Sequence, residues 1–107
     1  MARRTTSEAG LALIASFEGF RAKSQRLPDG RWIVGYGHAR AATGPVIITP
    51  AEAMALLRID LAPIEDTLNE AAFAPLSQNQ FDALASFAFN IGLDQFRTSD
   101  VLVHLNR

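Results

Sequence analysis

Cysteine is absent from this chain. Neither a disulfide framework nor thiolate chemistry is therefore open to it. Histidine is scarce: His38 and His104 are the only two, which is no metal-ligand cluster. The expectation is no metal and no cofactor. A dominant charge sign is also lacking, with 10 basic against 11 acidic residues and a formal net charge of −1. Among the basic residues only Arg3 and Arg4 are adjacent. A nucleic-acid partner needs a concentrated basic surface, and disorder needs strong net charge with low hydrophobicity. With 49% hydrophobic residues, the chain reads as globular.

No apolar run approaches the ~20 residues a membrane helix needs. Arg3-Arg4 ahead of Leu11 to Ala15 has the outline of a signal peptide. Ser7-Glu8 interrupts it, and Glu18 stands where a small-residue cleavage site belongs. The expectation is an amphipathic helix without an export signal. The domain would then be cytoplasmic, tethered to the inner membrane only through sequence outside this chain. The length, 107 residues, suits one domain or a large part of one.

Ser7 can cap a first helix that places Leu11, Ile14, Ala15 and Phe17 on one face. Gly19 ends it just after Glu18. Residues 21–38 read as a small sheet. Its first turn is Leu27-Pro28-Asp29-Gly30, where Pro presets φ and Gly accepts positive φ. Arg31-Trp32-Ile33-Val34 is strand-like. Residues 39–48 read as a connector broken at Gly44-Pro45. Thr49-Pro50-Ala51-Glu52 is a capping box that opens a long helix. Its stripe is Met54, Leu57, Leu61, Ile64 and Leu68. Pro63 removes one hydrogen bond and is expected to kink or split that helix. Ser77-Gln78-Asn79-Gln80 is a second capping box, and Gly92 a natural stop. A last short helix is expected from about Ser99. Phe73, Phe81, Phe87, Phe89 and Phe96 read as core.

Several stretches of the chain are distinctive in residue type and order. They are Phe17-Glu18-Gly19 with Arg21, Gly35-Tyr36-Gly37-His38, and Ile48-Thr49 with Glu52-Ala53, Leu56-Leu57 and Asp60-Leu61. The most specific is Leu76-Ser77-Gln78-Asn79-Gln80-Phe81-Asp82-Ala83-Leu84, continuing from Ser86 to Gly92. In this order they resemble the phage-type lysozymes, which cut the bond between N-acetylmuramic acid and N-acetylglucosamine, and the resemblance implies an α+β fold in which a long helix joins a small sheet-containing lobe to a helical lobe. Residues 18–48 would be the small lobe, 49–70 the connecting helix and 71–107 the start of the helical lobe. Family members run on through several more helices, so the helical lobe is expected to be C-terminally truncated here. Gln25-Arg26-Leu27-Pro28-Asp29-Gly30-Arg31-Trp32 is similar to the lysozyme-like domain of membrane-attached polarity scaffolds in stalked bacteria.

Glycoside cleavage needs one carboxylic acid for the leaving oxygen and usually a second carboxylate for the cation or the water. By resemblance Glu18 is the general acid. The family's second carboxylate, nine residues on, falls at Leu27, and its active-site threonine, fifteen on, at Ile33. Losing one such carboxylate costs on the order of 10³-fold or more in rate. Asp29, two residues past Leu27, is the rescue candidate; its other reading is a turn-former. The resemblance pairs His38 with Asp60 structurally. It places Ser86 and Asn90 at groove-lining positions, although Asn90 also reads as a helix-end hydrogen-bonding residue. Trp32 and Tyr36 read as sugar-stacking groups or, preferentially, as core packing.

Two functions follow. The first is a degenerate muramidase domain reused as a non-catalytic scaffold. It would associate with itself and, by resemblance, with a signalling kinase at the cell pole, with peptidoglycan glycan as a further ligand. The second is an active N-acetylmuramidase with Glu18 as general acid. Nucleic acid is not an expected partner.

Overall fold

A computed structural model of the chain describes residues 3–40, 44–71 and 76–105. Helix α1 spans Glu8–Glu18. Ser7 caps it, its Oγ accepting the Gly10 N–H at 3.1 Å. The helix ends where the Gly19 N–H donates to the Ala15 carbonyl at 2.9 Å. Leu11 and Ile14 are buried, but Phe17 is 75% exposed. Phe17 was expected on the same buried face. It lies in the last turn, where no core side chain covers it.

Three strands follow: β1 (Arg21–Arg26), β2 (Trp32–Gly35) and β3 (His38–Arg40). They form an antiparallel sheet in the order β1-β2-β3. The register pairs Arg26 with Trp32 and Gln25 with Ile33, then shifts towards Arg21. The β1–β2 loop closes through Gly30 N–H to Leu27 carbonyl at 2.9 Å and Leu27 N–H to Arg31 carbonyl at 2.7 Å. Gly30 adopts φ 93°, a value that disfavours any side chain with a Cβ. The expected connector is shorter than the spacing suggests, because Ala39 and Arg40 belong to β3. Residues 46–48 return along the free edge of β1. Ser24 N–H donates to the Val46 carbonyl and Ile48 N–H to the Ala22 carbonyl, both at 2.9 Å.

Helix α2 spans Pro50–Ala71. Its capping box is closed: Glu52 N–H donates to Thr49 Oγ1 at 3.2 Å, and Thr49 N–H to Glu52 Oε1 at 3.0 Å. Ala53, Leu57, Leu61, Ile64 and Leu68 are buried along it. Burial of each large aliphatic side chain stabilises by roughly 1.5–3 kcal/mol. Pro63 lies inside this helix and does not split it. One missing donor in a 22-residue helix is outweighed by the stripe that continues on both sides of it.

Helix α3 spans Gln78–Ile91, opened by the Ser77/Gln80 capping box and stopped at Gly92. A short helix α4 (Leu93–Arg97) starts at once and buries Phe96; α5 follows over Asp100–Leu105. Of the phenylalanines expected as core, Phe81 and Phe96 are buried, while Phe87 is 39% exposed. Phe73 lies outside the described residues. Two compact units result, one of residues 1–10 with 61–107 and one of residues 11–60. Both boundaries fall inside helices, α1 and α2.

Candidate active site

Glu18 is the last residue of α1 and is exposed. Among the described residues its carboxylate makes no hydrogen bond or ion pair. The groups that could work with it lie on the sheet of the same unit. Leu27 is half-buried, and its backbone N–H and carbonyl both close the β1–β2 loop. Ile33 is half-buried in β2, in register with Gln25 on one side and Ala39 on the other. Both positions present alkyl groups, which can neither carry charge nor orient a water.

Asp29 is engaged within its own turn. Arg31 donates its backbone N–H to Oδ1 at 3.0 Å and its Nε–H to Oδ2 at 2.8 Å. These bonds from Arg31, the backbone one foremost, hold the Asp29 carboxyl below the usual carboxylate range. Such a group stays ionised and occupied.

Trp32 is half-buried, in register between Arg26 and Arg40. Tyr36, in the β2–β3 turn, has its ring centroid 5.8 Å from that of Phe20. His38 opens β3 opposite Val34. Its Nδ1 lies 2.8 and 2.9 Å from the two carboxylate oxygens of Asp60 on α2. The pair is partly buried and joins the sheet to the first half of α2. Ser86 and Asn90 belong to the other unit. They lie one helical turn apart on α3, Ser86 half-buried and Asn90 exposed.

Two buried carboxylates were not singled out from the sequence. Glu65 accepts both the N–H, at 2.8 Å, and the hydroxyl, at 2.7 Å, of Thr6 on one oxygen. Asp82 accepts the Ser7 N–H at 3.0 Å, the Ser7 hydroxyl and Gln78 Nε2 at 2.8 Å. Burial alone would raise the Asp82 carboxyl. The hydrogen bonds from Ser7 and Gln78, with the charge of Arg4, outweigh it and hold the group below its usual range. Arg4 is fixed on its backbone by Asn69, from its N–H to Oδ1 at 2.9 Å and from Nδ2 to its carbonyl at 2.8 Å. Residues 3–7 are thus strapped to α2 and α3. One signal was present in the sequence: Glu65 and Asp82 both fall on apolar stripes, where an unpartnered carboxylate would be costly.

Among the described residues no group of three acidic or histidine side chains could hold a metal ion, and no helix is long and apolar enough to cross a membrane.

A family model described as phage lysozyme matches residues 15–107. The chain is 45% identical over 100 residues to the endolysin of Acyrthosiphon pisum secondary endosymbiont phage 1, covering 94% of this chain and 68% of that protein. It is 42% identical over 103 residues to the endolysin of Bacillus phage PZA, covering 94% of this chain but only 40% of that relative. Among solved structures, the muramidase domain of SpmX from Asticaccaulis excentricus superposes with a TM-score of 0.89 at 52% identity, covering 97% of this chain and 71% of that one. The shared fold is lysozyme-like, a small three-stranded sheet accompanied by helices.

Proposed function

The chain belongs to the phage lysozyme family, and within it we propose a muramidase domain whose catalytic site is degenerate and whose role is that of a non-catalytic scaffold. The observation that carries this reading is the pair of alkyl side chains at Leu27 and Ile33, with Asp29 already bound on both oxygens by Arg31. Glu18 can offer a proton to a leaving oxygen. No group at the two altered positions stabilises the cation that would form or directs water to it. The scaffold would associate with itself and with a protein partner, by resemblance a signalling kinase at the cell pole. Peptidoglycan glycan is the ligand that family membership offers.

The direct test is turnover of purified cell wall at high protein concentration, with Glu18→Gln beside the unchanged chain. The scaffold reading expects no turnover from either. Size measurement in solution should give a species larger than one chain, and a clean monomer would remove self-association.

A second reading is an active N-acetylmuramidase with Glu18 as general acid. Identity of 45% to an endolysin favours it, as does a Glu18 carboxylate unengaged among the described residues. Turnover that Glu18→Gln abolishes would establish it in place of the first.

A further inference from the structure

Positive charge and exposed apolar side chains occur together in one part of this chain. Residues 11–60 hold six basic against four acidic residues, and the remainder four against seven. Five of the six large apolar side chains exposed among the described residues also lie in 11–60. Along the chain they are densest in and beside β1. Arg21, Lys23 and Arg26 are exposed there, and their side chains make no hydrogen bond or ion pair with described residues. Phe17 is 75% exposed and Ile47 78%, and Phe20 precedes Arg21 directly. Glu18 is the one acid in the stretch 17–26.

Lys23 and Ile47 are partners in an isolated antiparallel bridge, so their side chains stand side by side on one face. Ser24, the next residue, is buried, and its Oγ accepts the Val46 N–H at 2.8 Å. A cation and an isoleucine are therefore held together towards solvent by the backbone itself.

The free edge of β1 is already taken by Val46 and Ile48, so an extended peptide cannot add a strand there. An exposed isoleucine beside a lysine, with exposed phenylalanines preceding Arg21, suits a fluid partner that needs no shaped pocket. Cations meet its phosphates, and apolar tips enter below them. We infer that the surface formed by residues 17–26 with Ile47 docks onto an anionic phospholipid membrane. This does not depend on whether the domain cleaves glycan.

The test uses the full chain with vesicles of phosphatidylglycerol and phosphatidylcholine, against phosphatidylcholine alone. Binding is read by co-sedimentation and by the fluorescence of Trp32, the only tryptophan. Expected are binding to the anionic vesicles only and weakening as salt rises. Arg21→Ala with Lys23→Ala should lower affinity on the order of 30-fold, at roughly fivefold for each cation. Phe17→Ser and Ile47→Ser should also weaken binding. All four side chains are exposed, so far-ultraviolet circular dichroism should be unchanged. Equal binding to neutral vesicles, no binding to anionic ones, or indifference to the substitutions overturns the inference. Binding of poly-glutamate without binding of vesicles overturns it too, and reassigns the surface to an acidic polypeptide.

Discussion

Arg31 occupies both carboxylate oxygens of Asp29, one through its backbone N–H and the other through its side chain. The relationship is local, spanning two residues, and it makes Asp29 part of the turn. Asp29→Ala should therefore leave any cell-wall turnover unchanged, while amide exchange at Leu27 and Gly30 speeds up. Loss of turnover on this substitution would return Asp29 to the catalytic role. The depressed carboxyl also has a pH consequence. Its stabilising bonds are present above the usual carboxylate value and are lost as pH falls through its folded, lowered value.

Leu27→Asp combined with Ile33→Thr introduces a carboxylate and a hydroxyl at the two positions on which the proposed loss of catalysis rests. If Glu18 and the remaining site are otherwise intact, the double variant should turn over cell wall, by on the order of 10³-fold above the unchanged chain. Absence of any gain would place the divergence beyond these two residues.

Asp82 is buried and bound by Ser7 and Gln78. Asp82→Ala strands these donors and should cost about 2–4 kcal/mol in chemical denaturation at neutral pH. Because the folded carboxyl is lowered, this contribution is complete above the unfolded value of ~3.9. It disappears as pH falls through the folded value. The stability gap between the two proteins should hold from neutral pH to about pH 5 and narrow below about pH 4.

Gly10 is kept small by the same clamp. A Cβ there would lie 2.6 Å from Asp82 Cγ and 2.8 Å from Thr6 Cγ2. Both neighbours are themselves buried and hydrogen-bonded. Gly10→Ala should thus destabilise by about 1–3 kcal/mol, although alanine is the better helix former by roughly 1 kcal/mol. A rise in melting temperature would show that the strap yields easily.

His38 and Asp60 meet within unit 11–60 at 2.8 Å. A double-mutant cycle with His38→Ala and Asp60→Ala should return a coupling of roughly 0.5–1.5 kcal/mol, moderate because both groups are partly solvated. Additive single effects would mean that the contact is structurally present but energetically neutral.

The legible parts of this protein share one property, short range. Both capping boxes link residues three apart, as does the Leu27–Gly30 bond of the first turn, so the needed partners sit in the same few letters of sequence. The family motifs identify the fold for a related reason, since they carry Glu18, the glycine-flanked Tyr36 and the α3 entry in order. Of the kink or split expected at Pro63 the split does not occur, because the stripe that keeps α2 continuous is set by burial along its whole length.

Sequence alone determined where α1, α2 and α3 begin and where the first turn closes, and that positions 27 and 33 carry alkyl side chains. It could not determine which polar groups are buried with partners. Thr6 meets Glu65 across 59 positions and Ser7 meets Asp82 across 75. Only tertiary structure decided those pairs, and with them the need for glycine at position 10. Tertiary structure also left Phe17 and Ile47 in solvent. The physical reason is that a hydrogen bond or a burial depends on which groups converge in space, and spacing along the chain specifies that only within a turn or two.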